Sequence, residues 1–118
     1  MIPKISFILP VFKNAFVGEA IRSLTGQTMR EIEIIIVHDN PRWRFEPRTL
    51  EHDKRIKLIT NRENIGIAQS YNLALDNATG EIICPMNDDD ISLLQRAEFT
   101  HKLFSANPDY GLCYGAEL

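Results

Sequence analysis

The sequence has only two cysteines in 118 residues, Cys84 and Cys113. That is too few for a disulfide-stapled secreted scaffold, so both are expected as reduced thiols. It has no run of about 20 apolar residues, so no membrane span is expected. Its opening, MIPKISFILPVF, is apolar but short, and Pro10 and Lys13 interrupt it. It lacks the cationic start and small-residue cleavage site of a signal peptide. Basic charge is not in excess: Lys and Arg total 13 against 16 Asp and Glu, a formal net charge of -3. Nucleic acid is therefore not an expected partner. There is no internal repeat, no low-complexity stretch and no interior linker. A Gly-rich dinucleotide fingerprint, a phosphate-cradling loop ending in Lys-Ser/Thr, Cys/His metal spacing and a Ser nucleophile elbow are all missing.

What is present is globular. The apolar fraction is 44% and the charged fraction 25%, in a chain of the length of one domain. Residues 5–9 (ISFIL), 33–37 (EIIIV), 56–60 (IKLIT) and 82–86 (IICPM) are near-continuous apolar runs, which predict buried strands. Pro85 places a bend or an edge in the last of them. Helical spacing covers 16–24, with Asn14 as N-cap and Gly26 near its end, then 65–78 before Gly80, and 92–106 before Asn107-Pro108-Asp109. Residues 38–53 read as a loop with one short helical turn, and 110–115 (YGLCYG) as a final strand. Strands alternating with helices predict a mostly parallel sheet with helices on both faces.

In such sheets ligands bind beyond the carboxyl ends of the strands. Pro10, Val11 and Phe12 follow the first strand; His38, Asp39 and Asn40 the second; Asn61 to Asn64 the third; Asn87, Asp88, Asp89 and Asp90 the fourth. Three adjacent carboxylates repel one another unless a cation or solvent compensates. Hard oxygen donors suit Mg²⁺ or Mn²⁺, which bind one or two carboxylates plus substrate phosphates. The competing reading is an Asp-rich turn in which Asp90 caps the 92–106 helix. Asp39 can accept a ring N–H or a ribose hydroxyl, or simply start its loop. Phe12 can stack on a base or belong to the core. His38 can be a base or a ligand but has no obvious partner. Arg42, Trp43, Arg44 and Arg48 form an aromatic-basic patch that reads as a solvated loop.

These strand-end residues, in this order, resemble the family 2 glycosyltransferases. ISFILPVFKN looks like the family's first strand and Pro-x-Tyr/Phe-Asn turn, and EAIRSLTGQT like its helix ending in Gln-Thr. EIEIIIVHDN is similar to the strand with Val-Asp-Asp-Gly/Asn, and ENIGIAQSYNLAL to the Glu-Asn-x-Gly turn and helix. TGEIICPMNDDD resembles the Gly-Glu strand and the Asp-x-Asp-Asp metal motif, and ANPDYGLCYG the Asn-Pro-Asp stretch. The resemblance implies a three-layer, Rossmann-like sheet of the GT-A type. Pro10 and Phe12 would line the base pocket, and Asp39 would accept the hydrogen bond from a pyrimidine. Asp88 would approach the ribose or the metal, and Asp89 would be the principal ligand of Mg²⁺ or Mn²⁺. The implied partners are a nucleotide-sugar donor, UDP-sugar first, and a glycan, lipid-linked or other hydroxyl acceptor. The implied setting is the cytoplasm, including the cytoplasmic face of a membrane.

Four positions depart from the family pattern. His38 stands for the first Asp of its pair, Lys13 for Asn, Tyr71 for an Arg before Asn72, and Asn87 for the first Asp of the metal motif. A neutral amide is the weaker ligand, so Asp88 and Asp89 are expected to carry the metal. In the family the base that activates the acceptor lies well past the metal motif. The catalytic base is thus expected beyond Leu118, and residues 1–118 are expected to be a donor-binding part, truncated before the acceptor half and inactive alone. A receiver-like signalling domain and a nucleotidyltransferase are the alternatives. The first wants an acidic pair after the first strand, and the second a Gly-rich basic loop there.

Overall fold

The computed structural model describes residues 2–13, 15–45 and 52–115. Seven elements follow in order: β1 (Ile5–Val11), α1 (Val17–Thr25), β2 (Ile32–His38), β3 (Ile56–Thr60), α2 (Ile67–Asp76), β4 (Ile82–Pro85) and α3 (Arg96–Ala106). The strands form one sheet in the order β3-β2-β1-β4. Every pairing is parallel, with Ile5 beside Ile32 and Ile82, and Ile34 beside Ile56. β1 and β2 lie in the middle and are buried at every residue, which is why they read as unbroken apolar runs rather than alternating ones.

Alternation along these strands feeds two cores. Phe7, Leu9, Val11, Ile34 and Ile36 meet Ala20, Ile21 and Leu24 of α1 and Ala97 of α3 on one face. Ile8, Ile35 and Val37 meet Ala74 of α2 on the other. The expected helices on both faces are therefore present. Each fully buried Ile, Leu or Phe contributes about 1.5–3 kcal/mol relative to exposure. Pro85 closes β4 at the outer edge of the described sheet, where its missing N–H breaks no ladder bond.

The amino ends of the strands are tied by one polar cluster. Glu33 on β2 accepts from the Ser6 hydroxyl (2.6 Å), the Thr79 amide (2.6 Å) and the Thr79 hydroxyl (3.0 Å), and pairs with Lys57 Nζ at 2.9 Å. Ser6 Oγ in turn accepts from the Gly80 amide. A Cβ on Gly80 would lie 2.6 Å from Ser6 Oγ and 2.8 Å from Ser6 N, so the close approach of this loop to β1 requires glycine.

Three expectations are corrected here. The helix expected over 92–106 starts only at Arg96, with Gln95 as its N-cap, so Asp90 does not cap it. Tertiary bonds explain the delay. The Ser92 amide donates to Ser23 Oγ, Gln27 Nε2 donates to Leu93 O, and the Thr28 amide donates to Leu94 O. The backbone before α3 is thereby tied to the end of α1, and only a single turn, from the Arg96 amide to Leu93 O, directly precedes the helix. The strand expected over 110–115 does not form among the described residues, and Leu112 and Tyr114 are exposed. No described strand pairs with that segment, so Cys113 is not a strand residue, whereas Cys84 is buried in β4 as expected. His38 ends β2 rather than opening the loop. Asn14, offered as the cap of α1, and Arg48 lie outside the described residues, and Phe16 holds the cap position.

Candidate functional site

The carboxyl ends of β1, β2 and β4 open onto a cleft of about 270 Å³. Its walls are Pro10, Val11 and Phe12 after β1, Asp39 after β2, Asn64, Gly66, Ile67 and Ser70 from the start of α2, and Asn87 and Asp88 after β4. Four of the five residues singled out from sequence, Pro10, Phe12, Asp39 and Asp88, are thus brought together. The fifth, Asp89, lies one residue along the same turn, is exposed, and is not part of the wall. Phe12 is 52% exposed, so it belongs to the cleft rim and not to the core.

Asp39 is the best-held of these groups. Oδ1 accepts from Asn61 Nδ2 (2.9 Å) and the Ile65 amide (2.8 Å), and Oδ2 from the Gly66 amide (2.9 Å). The local sequence explains how both amides reach it. Asn64 Oδ1 accepts from the Gly66 amide at 3.0 Å, which closes a turn, and Gly66 sits at φ 89°, where L side chains are strained. The Asn-x-Gly spacing therefore builds a cradle for a carboxylate. Asp39 is only 4% exposed. Burial acts to raise its carboxyl, but the Ile65 amide, the Asn61 side chain and the Gly66 amide outweigh it and hold the group below the usual range. A carboxylate offers about four acceptor positions. Three are filled by these donors, the buried Ser70 hydroxyl lies close enough to add to the lowering, and Asp39 itself lines the cleft.

Two neighbours complete this region. The Ser70 hydroxyl is fully buried; it adds to the lowering of Asp39 yet makes no well-formed hydrogen bond. Tyr71 Oη lies 3.1 Å from Met86 O and 3.0 Å from Asn87 Oδ1. Burial, and then the charges of Asp88 and Asp90, push the Tyr71 hydroxyl up, so it stays protonated.

His38 is placed away from the cleft. Its ring packs against Trp43 (5.9 Å between centroids) and Phe45 (5.2 Å), and its Nε2 is buried without a partner. Burial lowers its pKa, opposed in part by the Trp43 and Asn40 backbone and by Asp39. A carboxylate at this position would be desolvated against two aromatic rings, which gives a physical reason for an imidazole here. Trp43 packs against the core as well, so it is not a solvated loop residue. Arg42 and Arg44 are exposed.

Sequence reading missed Asn61, Ile65 and Gly66 as the holders of Asp39, and Tyr71 as a partner of Asn87. The Asn-Ile-Gly turn was a usable signal for the first set; nothing local signalled the second. Among the described residues, no group of three or more His, Cys, Asp or Glu side chains is gathered closely enough to enclose a metal. No helix among them is long and apolar enough to cross a membrane.

Comparison with known proteins agrees with this geometry. The family model for Glycosyl transferase family 2 matches residues 6–116. An uncharacterized glycosyltransferase of Methanocaldococcus jannaschii is 31% identical over 118 residues, covering 95% of this chain and 41% of the relative. One from Haemophilus influenzae is 33% identical over 98 residues, covering 76% of this chain and 29% of its own length. The chain thus spans less than half the length of these relatives. Among solved structures, S. aureus TarS 1–349 in complex with UDP aligns with a TM-score of 0.81 at 21% identity, over 89% of this chain and 33% of that one. A mannosyltransferase from Pyrobaculum calidifontis, in complex with GDP-Man and Mn²⁺, aligns with a TM-score of 0.64 at 22% identity, over 77% of this chain and 29% of that one. At these identities the structural likeness shows the fold, a GT-A sheet.

Proposed function

The chain belongs to glycosyl transferase family 2, and from that premise we propose that its cleft binds the nucleotide of a nucleotide-sugar donor, a UDP-sugar first, for metal-dependent, inverting transfer to a hydroxyl acceptor. One observation carries the reading: Asp39, buried, ionised and held by three donors, lines a cleft at the carboxyl end of a parallel sheet. A carboxylate there suits a ring N–H of a base. Phe12 and Pro10 flank it as the apolar wall on which a base lies. TarS has been solved with UDP and with UDP-GlcNAc, which supports uracil as the first base to test. Family membership sets aside the receiver and nucleotidyltransferase readings.

The acidic turn fits a hard divalent cation. Asp88 on the wall and Asp89 beside it offer carboxylate oxygens, the donor type Mg²⁺ and Mn²⁺ prefer. Two carboxylates are too few to enclose an ion, and a diphosphate and water suit the remaining positions. Asn87 Oδ1 is engaged by Tyr71, so Asp88 and Asp89 hold the ion in this proposal, with Asp88 also near the ribose. Such an ion supplies charge neutralisation to the departing diphosphate. No residue of this chain is assigned as the base, and the acceptor, glycan or lipid-linked, is assigned no subsite. The 118 residues are proposed to bind donor without transferring it, in the cytoplasm where such donors are made.

Thermal unfolding across a panel of nucleoside diphosphates, with and without Mn²⁺, tests this. UDP with Mn²⁺ is expected to raise Tm, as ligand binding to the folded state must, and GDP and ADP to raise it less. If no nucleoside diphosphate shifts Tm or binds by calorimetry, the reading is wrong. If the shift is the same without metal and survives Asp89→Ala, the metal role is wrong.

A further inference from the structure

Two of the four departures from the family pattern, Tyr71 and Asn87, touch each other. Tyr71 stands on α2, one turn past the loop whose amides hold Asp39. Its hydroxyl reaches Met86 O at 3.1 Å and Asn87 Oδ1 at 3.0 Å. One O–H hydrogen serves two acceptors, or the Asn87 amide turns and donates to Oη; both arrangements fasten the same atoms. The Met86 amide donates to Ile8 O at 2.9 Å. The chain leaving β4 is therefore pinned twice at Met86, by β1 through its N–H and by α2 through its carbonyl. Asp88 and Asp89 follow directly. At positions 71 and 87 a neutral phenol and a neutral amide meet.

We propose that Tyr71 and Asn87 form a neutral clamp that positions the acidic turn against α2, and that Asn87 serves this clamp rather than acting as a weakened metal ligand. Tyr71 is then a positioning residue for Asp88 and Asp89. The role in ligand binding rests on the donor-site reading above; the clamp itself does not. α2 becomes the common brace of the cleft: its first amides hold Asp39, and its next turn holds the start of the acidic segment.

Tyr71→Phe removes the hydroxyl and little else. Hydrogen exchange is expected to speed up about tenfold at the bonded amides of Met86 and Asp90, the loss of one net hydrogen bond, with β1 and β2 unchanged. UDP affinity in Mn²⁺ is expected to fall about tenfold, while affinity for uridine, which has no phosphate, stays constant. Asn87→Asp keeps an acceptor for Tyr71 and is expected to preserve slow exchange; Asn87→Ala leaves the Tyr71–Met86 O bond and is expected to fall between the wild type and Tyr71→Phe. Unchanged exchange in Tyr71→Phe overturns the clamp even if UDP binds the wild type. Equal loss of uridine and UDP affinity overturns the positioning role, because a merely structural defect does that. Faster exchange in a protein that binds no nucleotide supports the clamp and counts only against the donor reading.

Discussion

Glu33 and Asp39 stand at opposite ends of one strand, and their surroundings separate holding a fold from holding a ligand. Both are 4% exposed. Both are kept ionised by donors that outweigh burial. Glu33, at the amino end, accepts three hydrogen bonds and has a cation, Lys57, at 2.9 Å. Asp39, at the carboxyl end, also accepts three, but no cation among the described residues pairs with it, and it lines the cleft. A carboxylate matched by a cation of its own chain is closed. One held by neutral donors beside a cleft stays charged with no such cation to neutralise it. The orphaned Ser70 hydroxyl and His38 Nε2 are also at the carboxyl end.

The comparison is broken most directly at Glu33. Glu33→Ala leaves the buried Ser6 hydroxyl without its acceptor and removes the bonds from Thr79 and the ion pair with the half-exposed Lys57, and is expected to cost about 2 kcal/mol. Urea denaturation should show it as a lower midpoint with unchanged slope. The wild type should carry a matching acid limb. Burial alone would raise the Glu33 carboxyl, but the Ser6, Lys57 and Thr79 donors hold it at about 2. The unfolded glutamate titrates near 4.3, so the unfolded chain binds the proton first as pH falls. The stability Glu33 supplies is present above about pH 5 and lost towards pH 2. If Glu33→Ala keeps the full acid limb, or loses under about 1 kcal/mol, the amino-end cluster is not the tie described here. Nucleotide binding by the folded protein should be unchanged.

Asp39→Asn is expected to invert that balance. The amide oxygen can satisfy Asn61 and the Ile65 amide, which turns the NH₂ group towards the Gly66 amide. An acceptor for a ligand N–H becomes a donor. Stability should fall by about 1–2 kcal/mol from weakened hydrogen bonds, while uridine affinity should fall at least about tenfold. Calorimetric titration beside denaturation measures both. A large stability loss with affinity intact would make Asp39 a second Glu33.

The sheet was legible in the sequence because parallel strands buried on both faces leave continuous apolar runs, as ISFIL and EIIIV do. The cleft was legible because strand-end residues converge in such a sheet wherever the loops go; Pro10, Phe12, Asp39 and Asp88 needed only that rule and their family resemblance. What was not legible depends on distant partners. Glu33 lies in an apolar run, and its value comes from Thr79, 46 residues away. Residues 92–95 have helical spacing, but Ser92, Leu93 and Leu94 bond through their backbone to Ser23, Gln27 and Thr28 at the α1 end. Residues 110–115 have strand composition without a described strand to pair with. His38 ends β2 and Asp39 follows it, and because side chains alternate across a strand the two face different surroundings and only Asp39 lines the cleft.

That alternation yields the smallest effect, and it is read in pH rather than in size. Burial keeps the His38 imidazole neutral and lowers its pKa. The unfolded histidine titrates near 6.5, so below that pH the unfolded chain takes up a proton that the folded one refuses. Stability from this site is present above about pH 6.5 and declines as pH falls. His38→Phe keeps a ring between Trp43 and Phe45 and removes the titrating group. The variant is expected to lie within about 1 kcal/mol of the wild type at pH 8 and to gain on it at pH 5.5. Groups common to both proteins drop out of the difference. A gap in Tm that stays constant between the two pH values would mean that the imidazole is not held neutral. His38 would then belong with the groups that remain charged at the carboxyl end, and the contrast with Asp39 would narrow to geometry alone.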